Sequence, residues 1–475
     1  MSETKTLSAI KSIPVAPGPP VIGNLMPMLR TPMHFMVDTY KTCGEVFQVR
    51  VLNKRFTVIA GVEANRFMIH RERDFLQNGP IFGGYGIELG GELFLGSADG
   101  DIHKQLRRLQ TPSYSISHLR PHAPKMVTQL RRRLGGLHVG QRLDVQRLFQ
   151  ILLAEQVGEL LLNNGKVAHI LDDIIRVFRT ALSVKVMRRW PSLMLKTPAY
   201  RRSKARLFQH VSKLVEEHKS NPSPERNDLV DDILAAVERG ELIREENIPL
   251  LVLGPLFAGI DTASNTCSFI LYNILSRPEV YERVMDEVHG IFANPTPDWE
   301  AFKGMTALRG TVMETLRMYP VAYMATRQVV NPFEFGGYHI EADQNLLIAT
   351  AVPHFLPELY PSPHQFDIDR YRPDRREHAH PGAFAPFGVG VHTCLGARFA
   401  QAQIMVTIAT IMHLLQLEID PPDYELCIKS NPVAMPHGLA VRVRSLELTP
   451  SEEVEPWPGF SIDAKHPGFF QRLVS

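Results

Sequence analysis

From Asp99 onward the apolar positions recur mostly at the three-to-four spacing of amphipathic helices. The pattern predicts helices over roughly 100–110, 122–137, 146–163, 172–188, 199–219, 228–238, 245–277, 278–291 and 306–318, with a further apolar helix from Ala397 to about Leu417. Earlier in the chain, Val46–Val51 and Phe56–Ala60 alternate with period two and are rich in β-formers, which predicts a hairpin. After Met318 the pattern changes. Phe333–Ile340 and Leu346–Ala349 read as short strands, Leu439–Leu446 alternates again, and a proline-rich coil without period runs from Pro353 to Pro386. Prolines hold Pro14–Leu25 extended. Gly79–Gly96, with seven glycines in eighteen residues, reads as a mobile loop, and Trp190–Leu195 as an apolar loop tip. The expected fold is mainly α with a smaller β-rich part made from both chain ends. An extended lead-in over residues 1–25 precedes one domain over 26–475, without internal repeats.

Composition narrows this picture. The 475 residues suffice for a large core, and 52 basic against 50 acidic residues give a net charge of +2, which offers no reason to expect nucleic-acid binding. The four cysteines, Cys43, Cys267, Cys394 and Cys427, are scattered, with neither paired metal-ligand spacing nor a disulfide framework, as fits a reducing compartment. No run of about 18 apolar residues and no signal-peptide pattern is visible. A soluble, cytoplasmic protein without an integral membrane segment is expected.

The most informative stretch is Phe387-Gly388-Val389-Gly390-Val391-His392-Thr393-Cys394-Leu395-Gly396. A thiolate is a strong ligand for haem iron. Cys394 stands just before a predicted helix, whose free N–H groups and positive dipole end favour the ionised sulfur. The glycines let the backbone turn tightly and approach a flat cofactor. Phe387 is placed to pack against this loop, and His392 to donate to a haem propionate. A cysteine at a helix start is also what a buried core thiol looks like. The spacing Phe-x-x-Gly-x-x-x-Cys-x-Gly is far rarer by chance.

Three further constellations stand upstream in a fixed order. His103 and Arg107, at i and i+4, share a helix face and offer donors for the two propionates, with Arg327 a third candidate. Ala258-Gly259-Ile260-Asp261-Thr262 puts an acid and a hydroxyl beside a glycine on a long helix that also holds Pro255. Activation of O2 consumes protons, which such a pair relays; alone, the pair also reads as a capping-like feature. Glu314 and Arg317 are three apart on one helix face, and Arg370 is the expected third member of a buried clamp. Each motif alone has a bland reading as a surface pair or polar face.

Together these motifs resemble the cytochrome P450 superfamily, the haem-thiolate monooxygenases, over about Pro14 to Leu448. The resemblance implies a helical haem-binding body with a long central helix, and a meander where the proline-rich coil lies. It implies haem b as cofactor, Cys394 as iron ligand, and His103, Arg107, Arg327 and His392 as propionate partners. Asp261 and Thr262 become the proton relay. The residue after the threonine, often Thr or Ser in the family, is Ala263; Ser264 is placed to compensate. The absence of an N-terminal apolar helix makes the chain look like a soluble bacterial member. The reaction implied is insertion of one atom of O2 into a hydrophobic small molecule, a fatty acid, terpenoid, steroid or macrolide-like compound. Ile81–Glu88, Leu253–Ala258, Val321–Thr326 and Val433–His437 are the candidate pocket segments. Trp190–Leu195 is either a core contact or a lip of the entrance. Only 81 residues follow Cys394, so electrons are expected from a separate ferredoxin or flavodoxin-type donor with its NAD(P)H reductase. Arg107, Arg108, Arg120, Lys125 and Arg131–Arg133 form either a docking patch for that donor or a solvated helical surface. The alternatives are a haem-thiolate isomerase, dehydratase or peroxygenase that needs no electron donor, and a non-enzymatic haem protein binding a gas or a hydrophobic ligand.

Overall fold

The computed structural model describes residues 11–223, 228–430 and 433–447. The Met1–Ile10 part of the expected lead-in and the 448–475 end of the expected domain lie outside them. The chain divides into two compact units. One is built from the chain up to Gly83, Ala322–Gln365 and Arg376–Cys394, the other from Gly84–Val321, Phe366–Arg375 and the chain from Leu395 onward.

The first unit is organised on a five-stranded sheet in the order Val46–Val51, Lys54–Ala60, Asn345–Ala349, Ala325–Val329, Leu76–Gln77. Lys54–Ala60 runs parallel to Asn345–Ala349, with Thr57 opposite Leu346, and the other pairings are antiparallel. The period-two pattern does what alternation requires: successive side chains leave on opposite faces. Val46 and Ile59 join one apolar cluster with Ala64 and Met68 of the Val62–Phe75 helix. Phe47, Val49, Val58 and Ala60 join another with Met36 and Val37 of the Pro32–Cys43 helix. The lead-in extends this sheet, since Val15 bridges Gln48. Phe333–Phe335 and Tyr338–Ile340 form a hairpin whose turn residues, Gly336 and Gly337, both have positive φ, as a primed two-residue turn demands.

The β-rich part is therefore not assembled from both chain ends. The N-terminal hairpin pairs with strands from the middle of the sequence. The C-terminal strands Leu415–Ile419 and Ala440–Leu446 instead join Arg142–Asp144 in the second unit. A parallel pairing across nearly 300 residues leaves no local signal, so periodicity alone did not reveal the arrangement.

The second unit is helical. Its long helices follow the expected spans closely: Val145–Leu162, Pro198–Ser220, Ile248–Leu275, Thr306–Met318 and Ala397–Leu414. Val145–Leu162 is buried on nearly every side and packs along Ile248–Leu275, the central helix. Both are buried on most sides, and polar groups they carry inside, such as Gln150 and Asp261, are paired. The central helix runs without interruption through Pro255. By length and composition the span Glu245–Leu275 could cross a membrane, but 72% of its apolar window is buried in the fold, as in a core helix.

The glycine-rich stretch also differs from expectation. Gly79–Glu88 is helical. Tertiary ties override the poor propensity of its glycines: the Glu88 carboxylate accepts hydrogen bonds from Tyr200 Oη at 2.9 Å and Lys204 Nζ at 3.1 Å, and the Leu93 N–H donates to Asn247 Oδ1 at 3.1 Å. Burial, with the Glu88 carboxylate beside it, pushes the Tyr200 phenol well above its ordinary value. In the Trp190–Leu195 segment Leu193 is 68% exposed, while Trp190, Met194 and Leu195 are half-buried.

Candidate active site

The cysteine loop closes the first unit. Gly388 and Gly390 have φ of +70° and +82°, the left-handed region that favours glycine. At Gly390 there is a second constraint: a Cβ would lie 2.4 Å from both Glu72 Oε2 and Met68 O. At Gly388 a Cβ would meet open space. The turn is fixed from within, because the Thr393 hydroxyl donates to the Gly390 carbonyl at 2.8 Å and the Cys394 N–H to the Phe387 carbonyl at 2.9 Å. Phe387 thus carries the acceptor that closes the loop. Cys394 is exposed, His392 and Phe387 half-buried. In sequence, Cys394 lies two residues before Gly396, the N-cap of Ala397–Leu414.

Arg327 sits on the Ala325–Val329 strand, 6% exposed. Its Nε donates to Glu72 Oε1 at 2.6 Å and its Nη1 to the Thr326 carbonyl at 3.1 Å; Nη2 takes part in neither bond. Glu72 Oε2 accepts the Val391 N–H at 2.8 Å. Glu72 was not singled out from the sequence. A signal was present: Ala64, Met68 and Glu72 are spaced i, i+4, i+8, which puts a carboxylate on the apolar face of its helix.

The second unit carries the other candidates. On the central helix Ala258 is exposed and Gly259 and Thr262 are partly so, while their neighbours Phe257, Ile260 and Asp261 are buried. A Cβ on Gly259 would meet open space. The Thr262 hydroxyl donates to the Ala258 carbonyl at 2.7 Å. Asp261, one residue and about 100° round the helix, faces away from this strip. It is 2% exposed and accepts from Arg179 Nε at 2.6 Å, Arg179 Nη2 at 2.8 Å and Gln150 Nε2 at 2.9 Å. Burial works against the Arg179 charge, but the Asp261 carboxylate outweighs it, so the guanidinium pKa lies above its ordinary value. The acid and the alcohol are adjacent in sequence but are not aimed at one place. Ser264 does not take the place of a hydroxyl at Ala263: it is fully buried and donates to the Asp261 carbonyl at 3.2 Å.

His103 and Arg107 share the inward face of Gly100–Gln110 with Leu106 and Gln110; His103 is buried and Arg107 partly so. Glu314 and Arg317 are completely buried and joined by two hydrogen bonds, Nε to Oε2 at 2.8 Å and Nη2 to Oε1 at 2.7 Å. Arg370 Nε reaches Oε1 at 3.2 Å, as the sequence suggested. Two donors were not anticipated: the Tyr371 hydroxyl at 2.9 Å and the Asp367 N–H at 3.0 Å. Gly310 allows the close approach, since a Cβ there would lie 2.4 Å from the Ile368 carbonyl oxygen.

These features fit a haem. In the first unit the cysteine loop presents an exposed thiol, with open space where a Cβ on Gly388 would lie. In the second unit the central helix leaves Ala258 exposed and Gly259 and Thr262 partly so, along with Pro249, Gly254, Tyr272 and Leu275. A soft sulfur ligand on a glycine-rich loop is what a thiolate-ligated haem requires, and this chemistry points to the haem-thiolate proteins. The family model for cytochrome P450 matches residues 14–441, and the chain belongs to that family. Its sequence is 27% identical over 421 residues to cyclooctat-9-en-7-ol 5-monooxygenase of Streptomyces melanosporofaciens, covering 86% of this chain and 90% of that one. It is 25% identical to pentalenene oxygenase of Streptomyces avermitilis, covering 92% and 98%, and 25% identical to sterol 14alpha-demethylase of Mycolicibacterium vanbaalenii, covering 88% and 94%. The fold matches the haem domain of cytochrome P450DA with a TM-score of 0.80 at 22% identity, covering 92% of this chain and 98% of that one. The protein is a cytochrome P450 monooxygenase with haem b as its cofactor. As such it uses O2 and a redox partner.

Proposed function

We propose that the enzyme oxygenates a terpenoid or steroid, within the broader set of fatty acids, terpenoids, steroids and macrolide-like molecules compatible with its apolar pocket segments. The observation that carries this reading is the bared strip of the central helix, where Ala258, Gly259 and Thr262 offer hydrocarbon surface and one hydroxyl but no charge. Such a surface selects by shape and apolar contact rather than by ion pairing. The similar terpenoid and sterol enzymes support the narrower choice. A cytoplasmic enzyme supplied by a ferredoxin or flavodoxin-type donor and its NAD(P)H reductase completes the proposal.

The haem supplies O2 activation when bound. Around it, Cys394 provides the thiolate, and Phe387 holds the loop that carries it. His103, Arg107, Arg327 and His392 would hold the propionates. Thr262 presents a hydroxyl on the bared strip. Asp261 delivers protons when its carboxylate exchanges Arg179 for a solvent-connected partner.

Titrating ferric protein with a panel of terpenes, steroids, fatty acids and macrolides tests the substrate class. The expected outcome is a low-to-high-spin Soret shift with a terpene or steroid, as the ligand displaces water. A shift with fatty acids or macrolides alone would contradict the assignment.

A further inference from the structure

Glu72 is a buried carboxylate far in sequence from every motif of the family signature. It is 2% exposed and both its oxygens are engaged. One neutralises Arg327; the other receives the N–H of Val391, three residues before Cys394. Gly390, beside that bond, has no room for a side chain because Glu72 and Met68 stand against it. The loop is thus seated on the Val62–Phe75 helix at Gly390 and Val391, and within it the Thr393 hydroxyl bonds back to Gly390 and the Cys394 N–H to Phe387.

We propose that Glu72 is a positioning residue for the iron ligand. It anchors the Val391 peptide, which holds the loop in the turn that presents Cys394. It also fixes Arg327 through Nε and sets a buried negative charge against that guanidinium. Two consequences follow, one geometric and one electrostatic, and two substitutions separate them. Glu72→Gln keeps an acceptor for the Val391 N–H and removes the charge. Glu72→Leu removes both.

The experiment uses full-length holoenzyme. The wild type's ferrous–carbon monoxide spectrum first establishes that Cys394 ligates the iron, the reading on which this proposal rests; its failure would be seen there, before any variant is made. In Glu72→Gln the spectrum stays thiolate-like, and the reduction potential becomes more positive. The ferrous-to-ferric ratio at fixed potential rises on the order of ten-fold, because loss of a buried negative charge favours the reduced haem. In Glu72→Leu part of the carbon monoxide complex moves to the position of a neutral-thiol or thiol-free haem, and haem content falls. A merely structural ion pair would move haem content alone. An unchanged potential in Glu72→Gln overturns the electrostatic role. A wholly thiolate spectrum in Glu72→Leu overturns the positioning role. If Glu72→Leu does not fold, Glu72→Ala, which also removes the acceptor for the Val391 N–H, takes its place in the carbon monoxide measurement.

Discussion

Glu314→Ala yields protein with little haem, destabilised by about 3–5 kcal/mol. The effect is large because Glu314 is shared by two buried guanidiniums. Arg317 and Arg370 are respectively fully and 99% buried, and both donate to it, together with the Tyr371 hydroxyl and the Asp367 N–H. Removing the carboxylate leaves the positive charges without their shared partner in a site that water does not reach, and breaks the tie between the Thr306–Met318 helix and the coil at 367–371. A loss of this size is a substantial share of the roughly 5–15 kcal/mol that holds a domain folded. The haem-to-protein absorbance ratio after purification and a denaturant titration measure the two parts separately. A wild-type ratio with an unchanged midpoint would contradict this account of the clamp.

The second large effect is catalytic. Asp261→Asn lowers turnover by about 10²–10⁴-fold while the substrate-induced spin shift survives, because Asp261 is buried and lies to one side of the strip of Ala258, Gly259 and Thr262. In the structure the carboxylate is held by Arg179 and Gln150, so proton delivery requires it to leave the guanidinium. Asparagine keeps the shape and a bond to Gln150 but carries no proton. A larger solvent deuterium isotope effect on turnover should accompany the loss, as the proton step becomes limiting. Turnover within two-fold of wild type would exclude Asp261 from the relay. Haem content and thermal stability, measured alongside, report the cost of leaving Arg179 without its acid.

How far the sequence foretold the site depended on whether partners were close along the chain. The cysteine loop was legible because its ligand, glycines and helix start fall within about ten residues, inside the reach of spacing arguments. Glu314 and Arg317 were legible for the same reason, three apart, and Arg370 through its position in the coil. Arg179 and Glu72 were not. The Arg179–Asp261 pair spans 82 residues and the Arg327–Glu72 pair 255, and neither arginine differs in local pattern from a surface one. Gln150 was hidden inside an apolar run that reads only as core. The glycine-rich helix failed for a related reason: propensity favoured a loop, and the contacts that order it come from Tyr200, Lys204 and Asn247. The sheet order required a parallel pairing between strands at opposite ends of the first unit's sequence. Elements with local causes were recovered; those decided by distant partners were not.

The most direct test of the central claim is the absorption spectrum of the dithionite-reduced, carbon monoxide-bound protein, taken for the wild type and for Cys394→Ala. A cysteine thiolate opposite carbon monoxide displaces the Soret band far to the red of that given by a histidine or a neutral thiol. The account predicts the red-shifted band in the wild type and its complete loss in Cys394→Ala. A wild-type band at the position of histidine-ligated haem, or a red-shifted band that survives the substitution, would mean that Cys394 does not hold the iron.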